Sequence, residues 1–145
     1  MAYSFDNFTV LFLKLTRYWN KVAAEELKKY DIKAAYGVYL MILNDSSEEL
    51  TAGRLSKIAK RDKADVSRAV DLFLTNGLIK LKGETNYRAV IKLTPKGKKL
   101  LEKINKKLTA FIDEISDGIS EEQRAAFDAG FVVMSKNLKE KYEDK

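Results

Sequence analysis

Residues 51–93, TAGRLSKIAKRDKADVSRAVDLFLTNGLIKLKGETNYRAVIKL, decide the fold. Thr51 stands one residue before a short helical run and is placed to accept a backbone N–H as its N-cap. Leu55, Ile58 and Ala59 make the buried side of that helix. Arg61 is the turn, and Asp62 caps a second helix from Lys63 to about Asn76, with Asp65 in the first turn where the helix dipole favours an acid. Val66, Ala69, Val70, Phe73 and Leu74 recur at i, i+3, i+4, i+7 and i+8 and so face inward. Lys63, Ala64, Ser67, Arg68 and Asp71 are left facing outward. Gly77 ends the helix in the left-handed conformation that glycine enters without penalty. Residues 78–82 and 87–93 then alternate with period two, as strands with one wet face do, around a polar tip at 83–86. The order is a helix-turn-helix with a β-hairpin attached.

Outward from this stretch the chain is helical. Residues 4–30 carry Phe8, Leu11, Phe12, Leu15, Tyr18, Trp19, Val22, Ala23 and Leu27 at three- and four-residue steps, which predicts one long amphipathic helix. Its apolar stripe is wide and aromatic, suited either to a second copy of the chain or to the domain's own core. Residues 33–44 read as a shorter, nearly all-apolar and therefore central helix. On the other side, Thr94-Pro95 opens a long helix with Thr as N-cap and Pro at the first helical position. Asp117-Gly118 closes that helix, and Ser120-Glu121-Glu122-Gln123 is a capping box for the last one. The fold class expected is mainly α with a small β-hairpin wing, a winged helix-turn-helix flanked by N- and C-terminal helices.

Composition narrows the function. At 145 residues, 46% hydrophobic and 33% charged, the chain is large enough for one globular domain without metal or disulfide support. It has no Cys and no His, which excludes a disulfide framework, a thiol switch, the usual zinc sites and imidazole catalysis. Neither a bilayer-spanning apolar run nor an export signal is seen, so the expected setting is the cytoplasm, away from membranes. The charge is uneven. Residues 51–100 hold 13 Lys+Arg against 4 Asp+Glu, whereas residues 1–50 hold 6 against 7 and residues 101–145 hold 8 against 10. The excess of cations falls on the helix-turn-helix and hairpin, and nucleic acid is the first partner to consider.

In a helix-turn-helix the second helix enters the major groove of double-stranded DNA and its first turn reaches base edges. Arg68 suits a guanine and Ser67 a base or a phosphate. Thr51 and Lys63, near helix starts, suit phosphates, and Lys57, Lys60 and Arg61 supply further backbone contacts. Lys82, Asn86 and Arg88 place the hairpin tip for a minor groove. Each has a plainer reading: Arg68 pairs with a nearby carboxylate such as Asp71, and surface lysines are simply solvated. Trp19, Tyr30, Tyr36 and Tyr39 offer aromatic walls for a small ligand, or else pack the core.

The runs Asp65-Val66-Ser67-Arg68-Ala69-Val70, Asn76-Gly77-Leu78-Ile79 and Leu93-Thr94-Pro95-Lys96-Gly97 resemble the winged-helix regulators of the multiple-antibiotic-resistance regulator (MarR) family. There a VSR-x-V-x-x-L recognition helix ends in x-GLI, and LT-x-x-G opens a long helix after the wing. The resemblance covers most of the chain. It implies a single MarR-like domain over 1–145, with a DNA-binding region at 33–94 and dimerisation helices at 1–32 and 95–145. It further implies a homodimer on a pseudo-palindromic operator, acting as a repressor released by a small aromatic or lipophilic effector. Two features depart from the family pattern. The wing Asp-x-Arg is replaced by Thr85-Asn86-Tyr87-Arg88, which aligns Arg88 only with a one-residue deletion, and the cysteine of oxidant-sensing members is absent.

The expectation is therefore a sequence-specific DNA-binding transcriptional regulator with no catalytic activity, no cofactor and no metal. The alternative is a winged-helix interaction module whose basic face meets an acidic protein partner. An enzyme is disfavoured by the absence of His, Cys and a phosphate-binding Gly-rich loop.

Overall fold

The computed structural model describes residues 5–83 and 88–143. The elements are α1 (Phe5–Leu27), α2 (Gly37–Asp45), α3 (Ala52–Ala59), α4 (Lys63–Thr75), β1 (Ile79–Lys82), β2 (Val90–Leu93), α5 (Pro95–Ile115) and α6 (Glu121–Leu138). The predicted class is what forms: six α-helices and one antiparallel hairpin among the described residues. Short 3₁₀ turns follow α1 and precede α2, where Asp31 takes a left-handed φ of 57° and breaks the helical path. By contact the chain divides into two compact units, residues 1–108 and 109–145.

The first unit holds the core. Val22, Ala23 and Leu27 of α1, Tyr39 and Leu40 of α2, Leu55 of α3, Val66, Ala69 and Phe73 of α4, and Leu100, Leu101 and Ile104 of α5 are buried together. In α1, α4 and α5 these side chains recur at three- and four-residue steps, the repeat that a helix needs to bury one side. In the hairpin, Ile79 pairs with Leu93 and Leu81 with Ile91. Leu50 adds a single bridge on the far edge of β2, its carbonyl accepting from the Ile91 N–H at 2.8 Å. The residue before the helix-turn-helix thus belongs to the wing sheet, which no local pattern in the sequence announces.

Two junctions hold the unit together. The first surrounds the start of α5. The Thr94 hydroxyl donates to the Gly77 carbonyl at 2.6 Å and accepts from the Gly97 N–H at 3.1 Å, while the Thr94 N–H donates to the Leu78 carbonyl. Lys96 reaches the Asn76 carbonyl at 2.8 Å and lies over the Tyr30 ring. The threonine that caps α5 also fastens it to the end of α4, and Gly97 follows because α5 passes against the Leu78 carbonyl with no room for a side chain.

The second junction is ionic. Glu26, on the buried side of α1 and only 2% exposed, accepts from Lys107 at 2.7 Å and Lys29 at 2.8 Å, with Lys103 at 3.2 Å. The Lys107 and Lys29 ammonium groups outweigh the effect of burial and hold its carboxyl down at about 2. Glu26 therefore remains ionised and ties α1 to α5.

In the second unit, Ser120 and Gln123 form the predicted reciprocal capping box at the start of α6. Arg124 reaches back to Asp113 at 2.9 Å. The α6 side chains Phe127, Phe131, Val132, Val133, Met134 and Leu138 are all exposed.

Candidate nucleic-acid interface

The α3–α4 turn sets the geometry of this surface. Thr51 caps α3, its Oγ1 accepting from the Arg54 N–H at 3.2 Å. The reversal itself falls on Lys60, with φ 50°, one residue before the expected Arg61. A left-handed lysine costs about 1 kcal/mol or more. The cost is offset by the Arg61 N–H donating to the Ser56 carbonyl and the buried Ser56 hydroxyl donating to the Arg61 carbonyl at 2.7 Å. Asp62 then caps α4 through the Ala64 N–H at 3.2 Å. Four buried side chains, Val66, Ala69, Val70 and Phe73, seat α4 on the core.

This seating turns Lys63, Ala64, Ser67, Arg68 and Asp71 to solvent, as their spacing predicted. An open groove of about 420 Å³ runs between the start of α3, α4 and β1, with Gly53, Lys63, Ser67 and Leu81 on its walls. Lys57, Lys60 and Arg61 are exposed on and after α3, and Lys82 and Arg88 are exposed where the hairpin strands approach the tip. Asn86, with its neighbours Thr85 and Tyr87, lies outside the described residues. Among the described residues, none of Lys57, Lys60, Arg61, Lys63, Lys82 and Arg88 has a carboxylate within ion-pair distance, so their charge is directed to solvent.

Arg68 differs. Its carboxylate neighbour is Asp65 at 3.5 Å rather than Asp71. Asp65 in turn is gripped from the core side: the Tyr39 hydroxyl donates to Oδ2 at 2.6 Å and the Tyr36 hydroxyl to Oδ1 at 3.4 Å. The Tyr39 hydrogen bond holds the Asp65 carboxyl below its ordinary range. Burial, reinforced by the Asp65 bond, pushes the Tyr39 phenol up to about 12. At neutral pH the tyrosine is thus the donor and the carboxylate the acceptor.

The four aromatic candidates are distributed as follows. Tyr36 and Tyr39 are 3% and 1% exposed, stack with ring centroids 5.8 Å apart, and send their hydroxyls to Asp65. Trp19 covers Gly37, and its buried indole N–H has no hydrogen-bond partner among the described residues. Tyr30 lies under the Lys96 ammonium at 5.2 Å. Tyr36 and Tyr39 are therefore core side chains with engaged hydroxyls.

Two features escaped the sequence reading. Lys80 stands directly opposite Lys92 in the hairpin register, so the wet face of the sheet carries Lys80, Lys82 and Lys92 together; Lys92 is steadied by Glu49 at 2.9 Å. The Tyr39–Asp65 bond spans 26 residues and has no local signal.

No protein-family model matches the sequence, and no curated protein is similar to it at a significant level. Solved structures are. A variant of MepR from a multidrug-resistant clinical isolate of Staphylococcus aureus superposes with a TM-score of 0.76 at 23% identity, covering 95% of this chain and 99% of that one. MarR of Staphylococcus aureus, in complex with salicylate and kanamycin, gives 0.69 at 18% identity over 94% and 93%. Another MepR variant, bound to an oligodeoxyribonucleotide, gives 0.59 at 23% identity over 90% and 97%. The fold is that of the MarR-family regulators.

Proposed function

We propose that this chain is a transcriptional regulator that reads double-stranded DNA with the outer face of α4. The observation that carries the reading is that face itself: Lys63, Ala64, Ser67 and Arg68 stand out from a helix seated by four buried side chains. Around it are cations with no described carboxylate within ion-pair distance. Small and cationic side chains are what a helix entering the major groove presents. Lys57, Lys60, Arg61 and Lys63, with the Thr51 hydroxyl, suit phosphates, and Lys82 and Arg88 bring the wing toward the minor groove. That a MepR variant of this fold was solved on an oligodeoxyribonucleotide supports the same reading. Winged regions at 33–94 of two copies, joined through helices at 1–32 and 95–145, would sit on half-sites about one helical turn apart. The exposed apolar side chains of α6 are the kind of surface a second copy covers. The role is binding rather than catalysis.

The test is fluorescence anisotropy with duplex DNA across a salt series, the oligomeric state being measured by light scattering. Affinity is expected to fall at least about tenfold between 50 and 200 mM salt, because each neutralised phosphate releases counterions. Salt-independent retention, or none, would end the reading.

An effector enters through differential affinity for two arrangements of the paired reading helices. The Staphylococcus aureus MarR structure holds salicylate, so small phenolic acids are the first probes. Their expected effect is a raised melting temperature together with release of bound duplex. Stabilisation without release would remove the repressor-and-effector part of the proposal and leave DNA binding standing.

A further inference from the structure

Resting on the DNA-reading role above, we infer that Asp65, gripped from inside by Tyr39 and Tyr36, is a positioning residue that aims Arg68 at bases and so sets sequence discrimination. The carboxylate lies between a buried layer and an exposed one. On the inner side are two phenols that are 1% and 3% exposed, Tyr39 on Oδ2 at 2.6 Å and Tyr36 on Oδ1 at 3.4 Å. On the outer side is the Arg68 guanidinium, whose side chain is 63% exposed, at 3.5 Å from the same Oδ1.

An ordinary pair three residues apart on a helix surface has little influence, because both side chains swing freely in water. Here only one can swing. Tyr39 and Tyr36 are stacked on each other and locked in the core, so the carboxylate they hold cannot turn away. A guanidinium has five N–H donors; one edge directed at Asp65 leaves the other free for the paired acceptors of guanine. The fixed negative charge also repels phosphate, which disfavours the sequence-blind alternative of Arg68 folding onto the backbone. Without this device Arg68 would be one more solvated cation among Lys57, Lys60 and Lys63.

The experiment begins with duplexes that the wild-type protein recovers from a randomised pool, compared with scrambled duplexes of the same composition at fixed salt. Asp65→Asn is expected to lower the preference for recovered over scrambled DNA by about tenfold, the discrimination one bidentate arginine supplies. Part of that loss comes from tighter binding to scrambled DNA, which a merely structural defect would weaken instead. Tyr39→Phe, which keeps the charge but removes the shorter of its two phenol bonds, should move the preference the same way by a smaller factor. In an Arg68→Ala background, Asp65→Asn should change it less than about twofold, since coupled residues are not additive. An undiminished preference in a folded Asp65→Asn or Tyr39→Phe protein overturns the inference, as does a full effect without Arg68. Should Asp65→Asn not fold, Tyr39→Phe decides alone. A wild-type protein that recovers no preferred sequence would instead sink the DNA-reading role, and this inference with it.

Discussion

Gly97→Ala is expected to lower the melting temperature by about 10 °C, a loss of about 3 kcal/mol at a few degrees per kcal/mol for a chain of this size. The residue lies in the first turn of α5, and a Cβ there would run into the Leu78 carbonyl oxygen, with the Leu78 carbonyl carbon at 3.1 Å and Leu93 Cδ2 at 3.2 Å. The obstacle is backbone and cannot rotate aside. That oxygen already accepts from the Thr94 N–H, and Leu78 follows directly on Gly77, whose φ of 68° is fixed by the α4 terminus. Making room means lifting α5 off the α4–β1 junction and weakening the Thr94–Gly77 and Lys96–Asn76 bonds together. Overpacking a tight site costs about 1–3 kcal/mol and more where backbone must move. Gly53→Ala is the control. Its nearest neighbour is Thr51 Oγ1 at 4.0 Å, so the same change in a helix should stabilise by about 0.5–1 kcal/mol. Thermal melts followed by circular dichroism check both, and equal melting temperatures for the two variants would contradict the described packing.

Glu26→Gln should be nearly as damaging and should carry a pH signature. The amide keeps one acceptor where three ammonium groups converge, and its NH₂ turns a donor toward them. Removing one partner of a buried ionic cluster costs about 3–5 kcal/mol; because Lys29, Lys103 and Lys107 are themselves 41–55% exposed and reach water, about 2–3 kcal/mol is expected here. The sign follows from linkage. The folded carboxyl titrates at about 2, below its ordinary value of 4.5, so its contribution is complete above 4.5 and is lost as pH falls toward 2. Urea midpoints for wild type and Glu26→Gln should therefore lie well apart at pH 6 and converge only as pH falls to about 2. A gap that stays constant over that range would mean the carboxylate's charge is not what joins α1 to α5.

The local features of the fold were legible because each is settled by neighbours within about four residues. Thr51, Asp62 and Ser120 cap their helices through N–H groups two or three residues on, and Gly77 takes the positive φ that ends α4. The apolar repeat of α4 fixes which side is buried, and therefore that Ser67 and Arg68 face out. The sequence by itself thus determined the elements, their order and the exposed face of α4, since helix period and capping chemistry act along the chain. Only the tertiary structure decided what stands behind that face. Tyr36 and Tyr39 reach Asp65 across 29 and 26 residues, Lys107 reaches Glu26 across 81, and Gly97 meets the Leu78 carbonyl where two elements cross. These contacts depend on where whole helices come to lie, which the packing of the shared core sets and no local pattern encodes.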